Sequence, residues 1–239
     1  MIIIKISVVI AAYNEKENIT ELTERLNESL KKIKCSYEII YFIDGEDGTY
    51  EILAKLSKHN KKIRVFFGNK KPIGLGCAFR SAFSKISKDT NYVITMDADL
   101  NHQPEEIKKL LDNQKESDAD IVVGSRHIKG SVRRDIPLFK KIISNLTNKF
   151  FTYFFGVKVK DKTSGFRLYK LEKLMKIKYK SEGFEFLPEM LMIAQRNKMK
   201  IIEVPITFKF RKKGISKLNW GKTFKGYVKL IFNKMFKLN

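Results

Sequence analysis

Acidic residues are scarce in this sequence: 26 Asp and Glu stand against 48 Lys and Arg, a formal net charge of +22. An imbalance of that size favours a polyanionic partner, whether nucleic acid, an anionic membrane surface or a phosphorylated substrate. Cysteine is scarcer still. Cys35 and Cys77 stand in no metal or redox spacing, which argues against a disulfide scaffold and makes a reducing cytoplasmic setting the default. Zinc-finger spacings, RNA-binding signatures, internal repeats and low-complexity segments are missing, and the lysines are scattered, so no nucleic-acid partner is expected. No run reaches the roughly 18 uninterrupted apolar residues of a spanning helix, so contact with a membrane should be peripheral. The apolar opening from Met1 to Ala12 resembles a signal peptide, but Lys5 interrupts it and Tyr13-Asn14-Glu15 follows at once, which reads as a first buried strand.

What is present is an alternation of short apolar runs and helical stripes. Ile4 to Ala12, Tyr37 to Ile43, Ile63 to Phe67, Tyr92 to Met96 and Asp120 to Gly124 read as strands. Between them, Glu17 to Lys32, Tyr50 to His59, Cys77 to Ile86 and Pro104 to Gln114 read as helices. Such a pattern predicts an α/β fold, Rossmann-like, with a mainly parallel central sheet and helices on both faces. Asn14, Glu15 and Asp44, at strand ends, should face the ligand crevice.

His127 to Asp135 reads as a mobile basic loop. Pro137 to Phe155 carries Phe139, Ile142, Ile143, Leu146, Phe150 and Phe154 on one stripe, with Phe151 as an apolar intruder on the other faces. That helix is expected to pack its stripe on the core or to lie on a membrane. Lys140 and Ser144, four residues apart, sit above one another beside the stripe. Ile201 to Val204 and Ile206 to Phe210 read as a strand pair interrupted by Pro205, and Phe186 to Asn197 as a helix. From Lys222 to Leu238 runs a C-terminal basic amphipathic helix with Phe224, Tyr227, Val228, Ile231 and Met235 on one face, suited equally to membrane docking and to internal packing.

The stretch with the clearest chemistry is Tyr92-Val93-Ile94-Thr95-Met96-Asp97-Ala98-Asp99-Leu100-Asn101. If the strand continues past Met96, Asp97, Asp99 and Asn101 leave it on one side. Two converging carboxylates repel unless they share a proton or meet a cation, and oxygen ligands at this spacing suit Mg²⁺ or Mn²⁺. The plainer alternative is an Asp/Asn turn after the strand.

Motifs across nearly the whole chain resemble the GT-A glycosyltransferases of family 2, and within them the dolichyl-phosphate mannose synthases and related polyprenyl-phosphate glycosyltransferases. They are Val9-Ile10-Ala11-Ala12-Tyr13-Asn14-Glu15, Asp47-Gly48-Thr49, Gly74-Leu75-Gly76-Cys77-Ala78, Asp97-Ala98-Asp99-Leu100-Asn101-His102 and Gly124-Ser125-Arg126. Downstream follow Asp161 to Arg167, Glu203-Val204-Pro205-Ile206, and Arg211 with Gly214 to Leu218. The resemblance implies one GT-A domain over residues 1–218, with a nucleotide-sugar half (1–125) and an acceptor half (126–218), and a basic tail over 219–239.

It further implies that Ala12, Tyr13, Asn14, Glu15, Asp44, Gly74, Asp97, Ala98 and Asp99 hold the nucleotide sugar, and that Asp97, Asp99 and Asn101 hold the metal. Asp99, Arg126 and Arg211 are the expected catalytic residues. Relatives carry two aspartates and a serine where Phe42-Ile43-Asp44-Gly45-Glu46 stands, a glutamine at Asn101 and an arginine at Lys140. The last exchange swaps a bidentate fork for a point charge.

A sugar hydroxyl as acceptor requires a base to take its proton, for which Glu185 and Glu189 are the candidates. A lipid phosphate, largely dianionic at neutral pH, requires none and needs cationic positioning instead. Arg126, Lys140, Ser144, Arg211 and Lys217 are suitable donors. The expectation is therefore an inverting transfer of a hexose, mannose from GDP-mannose before glucose from UDP-glucose, to a polyprenyl phosphate. It would take place at the cytoplasmic face of an anionic membrane, with room for a separate membrane subunit. Transfer to a hydroxyl and a non-catalytic basic binder are the alternatives.

Overall fold

The computed structural model describes residues 4–211, 213–214 and 220–235. In chain order the elements are β1 (Lys5–Tyr13), α1 (Lys16–Ile33), β2 (Ser36–Asp44), α2 (Thr49–His59), β3 (Ile63–Phe67), α3 (Leu75–Phe83) and β4 (Tyr92–Thr95). A 3-10 turn (Pro104–Glu106) then runs into α4 (Ile107–Ser117). There follow β5 (Ile121–Ser125), β6 (Val132–Arg134), α5 (Leu138–Phe155), β7 (Arg167–Lys170), α6 (Leu171–Leu174), α7 (Phe186–Arg196), β8 (Ile201–Pro205), β9 (Thr207–Lys209) and α8 (Trp220–Met235).

Seven strands form one sheet in the order β3-β2-β1-β4-β7-β5-β8. All neighbours are parallel except β7, which runs antiparallel to both β4 and β5. Side chains of β1 alternate between two cores, as period two requires. Ile6, Val8 and Ile10 pack with α1, whose Ile19, Leu22, Leu26 and Leu30 recur at helical spacing. Val9 and Ala11 pack on the opposite face with Phe79 of α3 and with Phe186, Met190 and Leu191 of α7. The sheet is thus buried on both faces, which is why its strands read as continuous apolar runs. Strand order reverses between β1 and β4, so the chain ends of those strands open a crevice.

Three expectations need correcting. The segment from His127 to Asp135 contains β6, which pairs in parallel with β9 in a separate two-stranded sheet. Consequently β8 and β9 do not pair with each other: Pro205 closes β8 at the sheet edge, and the chain turns away. The third concerns α5. Of the stripe expected on the core or a membrane, Ile142, Leu146 and Phe154 are exposed and Phe150 packs on the core, while the supposed intruder Phe151 is fully buried. Hydropathy locates apolar faces without saying which one meets the core, and here Phe151 stacks on Phe155 and meets Tyr227 of α8 edge-on at 5.0 Å. Helix α8 is divided likewise, with Leu230 buried, Tyr227 and Ile231 packed on the core, and Phe224, Val228 and Phe232 exposed.

Candidate active site

The crevice begins at the end of β1, where Asn14 takes a left-handed conformation (φ 55°) and turns the chain into α1. Asp47 braces this corner: its carboxylate accepts the backbone N–H groups of Lys16 and Thr49 and the Thr49 hydroxyl. The same hydroxyl oxygen accepts the Glu15 N–H at 2.9 Å. Glu15 is thereby fixed with one carboxylate oxygen on Asn18 (2.7 Å) and the other on Arg211 (3.3 Å).

Across the crevice, β4 stops at Thr95, whose hydroxyl donates to the Gly165 carbonyl at 2.7 Å. Strand geometry therefore ends two residues before Asp97. The convergence of Asp97, Asp99 and Asn101 comes instead from a bend in which Leu100 has φ 60°. A Cβ on Gly165 would lie 2.6 Å from Asp97 Oδ1, so the missing side chain makes room for that carboxylate.

Asn101 donates its backbone N–H (3.2 Å) and side-chain amide (2.7 Å) to Asp99, leaving its own buried Oδ1 without a hydrogen-bond partner. Burial pushes the pKa values of both aspartates up, and for Asp99 the neighbouring Asp97 adds to the shift. Burial also lowers His102, to about 4, so it is neutral near pH 7. Its ring stacks on Phe166, with Nδ1 3.4 Å from Asp97 Oδ2. Two carboxylates and an orphaned amide oxygen form the all-oxygen donor set that hard divalent cations take, completed by water or phosphate. Among the described residues no group of three His, Cys, Asp or Glu side chains could hold a metal.

The facing wall is cationic. Arg126 is gripped by Asp161, Nε to Oδ2 and Nη2 to Oδ1, both at 2.7 Å, and Nη2 also donates to Thr163. Although burial alone would raise Asp161, the Arg126 guanidinium holds it far below the carboxylate range. Glu203 supports this contact by accepting the backbone N–H groups of Lys160 and Asp161.

Ser144 of α5 shares a hydrogen bond with His127 Nε2 (3.1 Å). Asn148 donates to the same nitrogen and accepts the Lys162 N–H, which makes Nε2 an acceptor and the imidazole neutral. Burial lowers the His127 pKa in agreement with that state.

A cleft of about 330 Å³ joins the two walls. Ala12, Tyr13, Glu15, Asp97, Ala98, Asp99 and Asn101 line it together with Arg126, Ser144 and Arg211. Asn14, Asp44 and Gly74 do not line it. The Asp44 carboxylate accepts backbone N–H groups of Asn69 and Ile73, and so organises the loop after β3. Gly74 (φ 98°) lies against the Glu182 backbone. Lys217 falls outside the described residues, as does the side chain of Lys140.

Neither candidate base reaches the cleft. Glu189 accepts the N–H groups of Lys180 and Ser181, and Glu185 accepts that of Gly183 and lies against Gly226. Sequence reasoning missed Thr223 and Tyr227 of α8 as lining residues, although a tyrosine on an apolar face carries a polar tip that would have been a signal.

Residues 7–178 match the family model for Glycosyl transferase family 2. The chain is 32% identical over 218 residues to the polyprenol monophosphomannose synthase of Mycolicibacterium smegmatis, covering 89% of this chain and 80% of that protein. It is 35% identical over 235 residues to the dolichol-phosphate mannosyltransferase of Pyrococcus furiosus, covering 97% of this chain and 64% of that longer protein. Among solved structures it resembles glucosyl-3-phosphoglycerate synthase from Mycobacterium tuberculosis in complex with Mn²⁺, uridine diphosphate and phosphoglyceric acid. The TM-score is 0.70 at 19% identity, over 96% of this chain and 78% of that one, a likeness of fold.

Proposed function

The chain belongs to glycosyl transferase family 2, and from that premise we propose that it transfers mannose from GDP-mannose to a polyprenyl phosphate. The observation that carries the reading is the cleft itself, in which Asp97 and Asp99 share the lining with Arg126, Ser144 and Arg211 while Glu185 and Glu189 are engaged elsewhere. The carboxylates that do line the cleft are committed, Glu15 and Asp99 to Arg211 and the aspartates to the proposed cation, and such a site suits a phosphate oxygen, which attacks without losing a proton. The two curated relatives, named for mannosyl transfer to polyprenol or dolichol phosphate, support the same acceptor class and hexose.

Asp97, Asp99 and the Asn101 amide oxygen would hold a divalent cation, Mg²⁺ or Mn²⁺. Such an ion, when bound, neutralises the charge that builds on the leaving diphosphate. The chain's own groups do the rest. Tyr13 and Glu15, with the loop ordered by Asp44, border the nucleotide. Arg126, pre-oriented by Asp161, presents a planar cation to the acceptor, and the Ser144 hydroxyl adds a hydrogen bond once its proton turns from His127 Nε2. Attack from the face opposite the diphosphate inverts the anomeric centre.

The acceptor is a lipid, and the outer faces of α5 and α8 fit its location. Both helices line the cleft, through Ser144 and Thr147 on α5 and Thr223 and Tyr227 on α8. Both also expose large apolar residues on a protein with a net charge of +22. No helix among the described residues is long and apolar enough to cross a membrane. We place the protein on the cytoplasmic face of an anionic membrane, lying on α5 and α8.

The choice between acceptors is tested by assaying Glu185→Gln and Arg126→Ala with a polyprenyl phosphate and with a free mannoside. Lipid-phosphate transfer predicts that Glu185→Gln stays active and Arg126→Ala fails. The opposite pattern would establish a hydroxyl acceptor.

A further inference from the structure

Arg211 lies 196 residues from Glu15 in sequence, yet its guanidinium bridges Glu15 Oε1 (3.3 Å) and Asp99 Oδ2. Asp99 Oδ2 also takes the Asn101 amide, so this carboxylate of the cleft is already engaged by one full positive charge. A divalent cation seated on Asp97 and Asp99 would meet that guanidinium at its own ligand. Like charges a few ångströms apart in a half-buried cleft repel, and a carboxylate oxygen cannot serve both at full strength.

We infer that Arg211 is a resident counter-cation that yields Asp99 to the incoming metal and is thereby released toward the acceptor phosphate. The inference rests on the proposed metal-dependent transfer and adds an order to it. With the metal absent from the carboxylates, Arg211 is held by Glu15 and Asp99 and is a poor phosphate ligand. Once the donor and its metal occupy Asp97 and Asp99, the guanidinium swings away and supplies a bidentate fork to the dianion. Binding of metal and of acceptor are then positively coupled, and linkage makes the coupling reciprocal. Such a device would protect against futile capture of lipid phosphate before the sugar donor is in place.

The position of Arg211 in the chain suits the exchange. It lies two residues beyond β9, just after Phe210, whose N–H still bonds the Arg134 carbonyl, so it stands outside the paired strand. Its side chain is only 13% exposed, and its two carboxylate partners are as deeply set, so the contact is made inside the cleft rather than on its rim.

The test reads metal directly, without turnover. Mn²⁺ is titrated into the full chain and free Mn²⁺ is followed by electron paramagnetic resonance, for the native protein, Arg211→Gln and Arg211→Lys. Removing the competing charge should tighten Mn²⁺ binding by about tenfold or more, the scale of one charge-assisted hydrogen bond, with Arg211→Lys between the two. In parallel, farnesyl phosphate binding should strengthen on adding Mn²⁺ and GDP to the native protein and show no such gain in Arg211→Gln.

Unchanged or weaker Mn²⁺ binding in a folded Arg211→Gln, checked by its thermal melt, would overturn the exchange while leaving the metal site intact. If no protein binds Mn²⁺ even with GDP present, the proposed metal site itself fails, and the exchange with it.

Discussion

Arg126 and Asp161 meet side-on, with both contacts at 2.7 Å and the Arg126 backbone N–H bound to the same carboxylate at 2.9 Å. Asp161 is fully buried and Arg126 partly so, and two of the five guanidinium N–H donors are spent on the pair. Arg126 is therefore aimed before any acceptor arrives, which is where an acceptor-binding cation gains over a free one.

Asp161→Asn should cost both aim and stability. Leaving a buried guanidinium without its charge partner is worth about 3–5 kcal/mol of folding free energy. The pH dependence has a definite sign. Because the folded pKa of Asp161 lies below its unfolded value near 3.9, its contribution is complete above about pH 4 and is lost as pH falls below that. Thermal melts should show the native protein losing its advantage over Asp161→Asn only in acid. Transfer assays on the folded variant should show a raised KM for the lipid acceptor.

Asp97→Asn should do the reverse to stability. Burial raises the folded pKa of Asp97 against the lowering by nearby arginines, so ionising it costs the fold, a cost absent below its unfolded value near 3.9 and lessened by the 35% exposure of the side chain. The variant should melt at a higher temperature than the native protein at pH 7.5, with the gain shrinking toward pH 4, while metal binding and transfer are abolished. A lower melting point at pH 7.5 would show Asp97 to be a net stabilising charge.

Gly165→Ala should separate fold from site. The added methyl would crowd the Asp97 carboxylate at 2.6 Å, whereas the Thr95 hydroxyl bonds the Gly165 carbonyl and is unaffected. The expected outcome is a modest change in melting temperature together with at least a tenfold loss in Mn²⁺ affinity, measured by titration.

The exposed faces of α5 and α8 can be altered without touching the cleft. Leu146→Glu combined with Phe224→Glu replaces two residues that are 61% and 69% exposed. Sedimentation with phosphatidylserine vesicles should show loss of binding, and native binding should weaken with salt, while transfer to a short, water-soluble prenyl phosphate persists.

Much of this was readable from residue order. Continuous apolar runs announced strands buried on two faces, and the stripe on α1 matched its packing. The acid pair after β4 marked the mouth of the crevice. Other features depend on contacts that sequence does not display. The antiparallel insertion of β7 between β4 and β5 is a choice of neighbour, invisible to periodicity. On α5 both faces are apolar, and periodicity did not show that Phe151 is the residue driven into the core. Asp44 reads as a ligand-facing acid because it ends β2, yet its carboxylate is consumed by amides of a loop 25 and 29 residues away. Arg211 was expected at the acceptor, but its attachment to Glu15 and Asp99 joins three distant parts of the chain.

The most direct test of the proposed reaction is solvent extraction after incubating the protein with labelled GDP-mannose, Mg²⁺ or Mn²⁺ and a short polyprenyl phosphate, with UDP-glucose in a parallel tube. Metal-dependent label in the organic phase from GDP-mannose, lost in Asp99→Ala, is the predicted result. Label from UDP-glucose instead would contradict the assigned hexose, and no lipid label from any nucleotide sugar by a protein that binds them would contradict the acceptor.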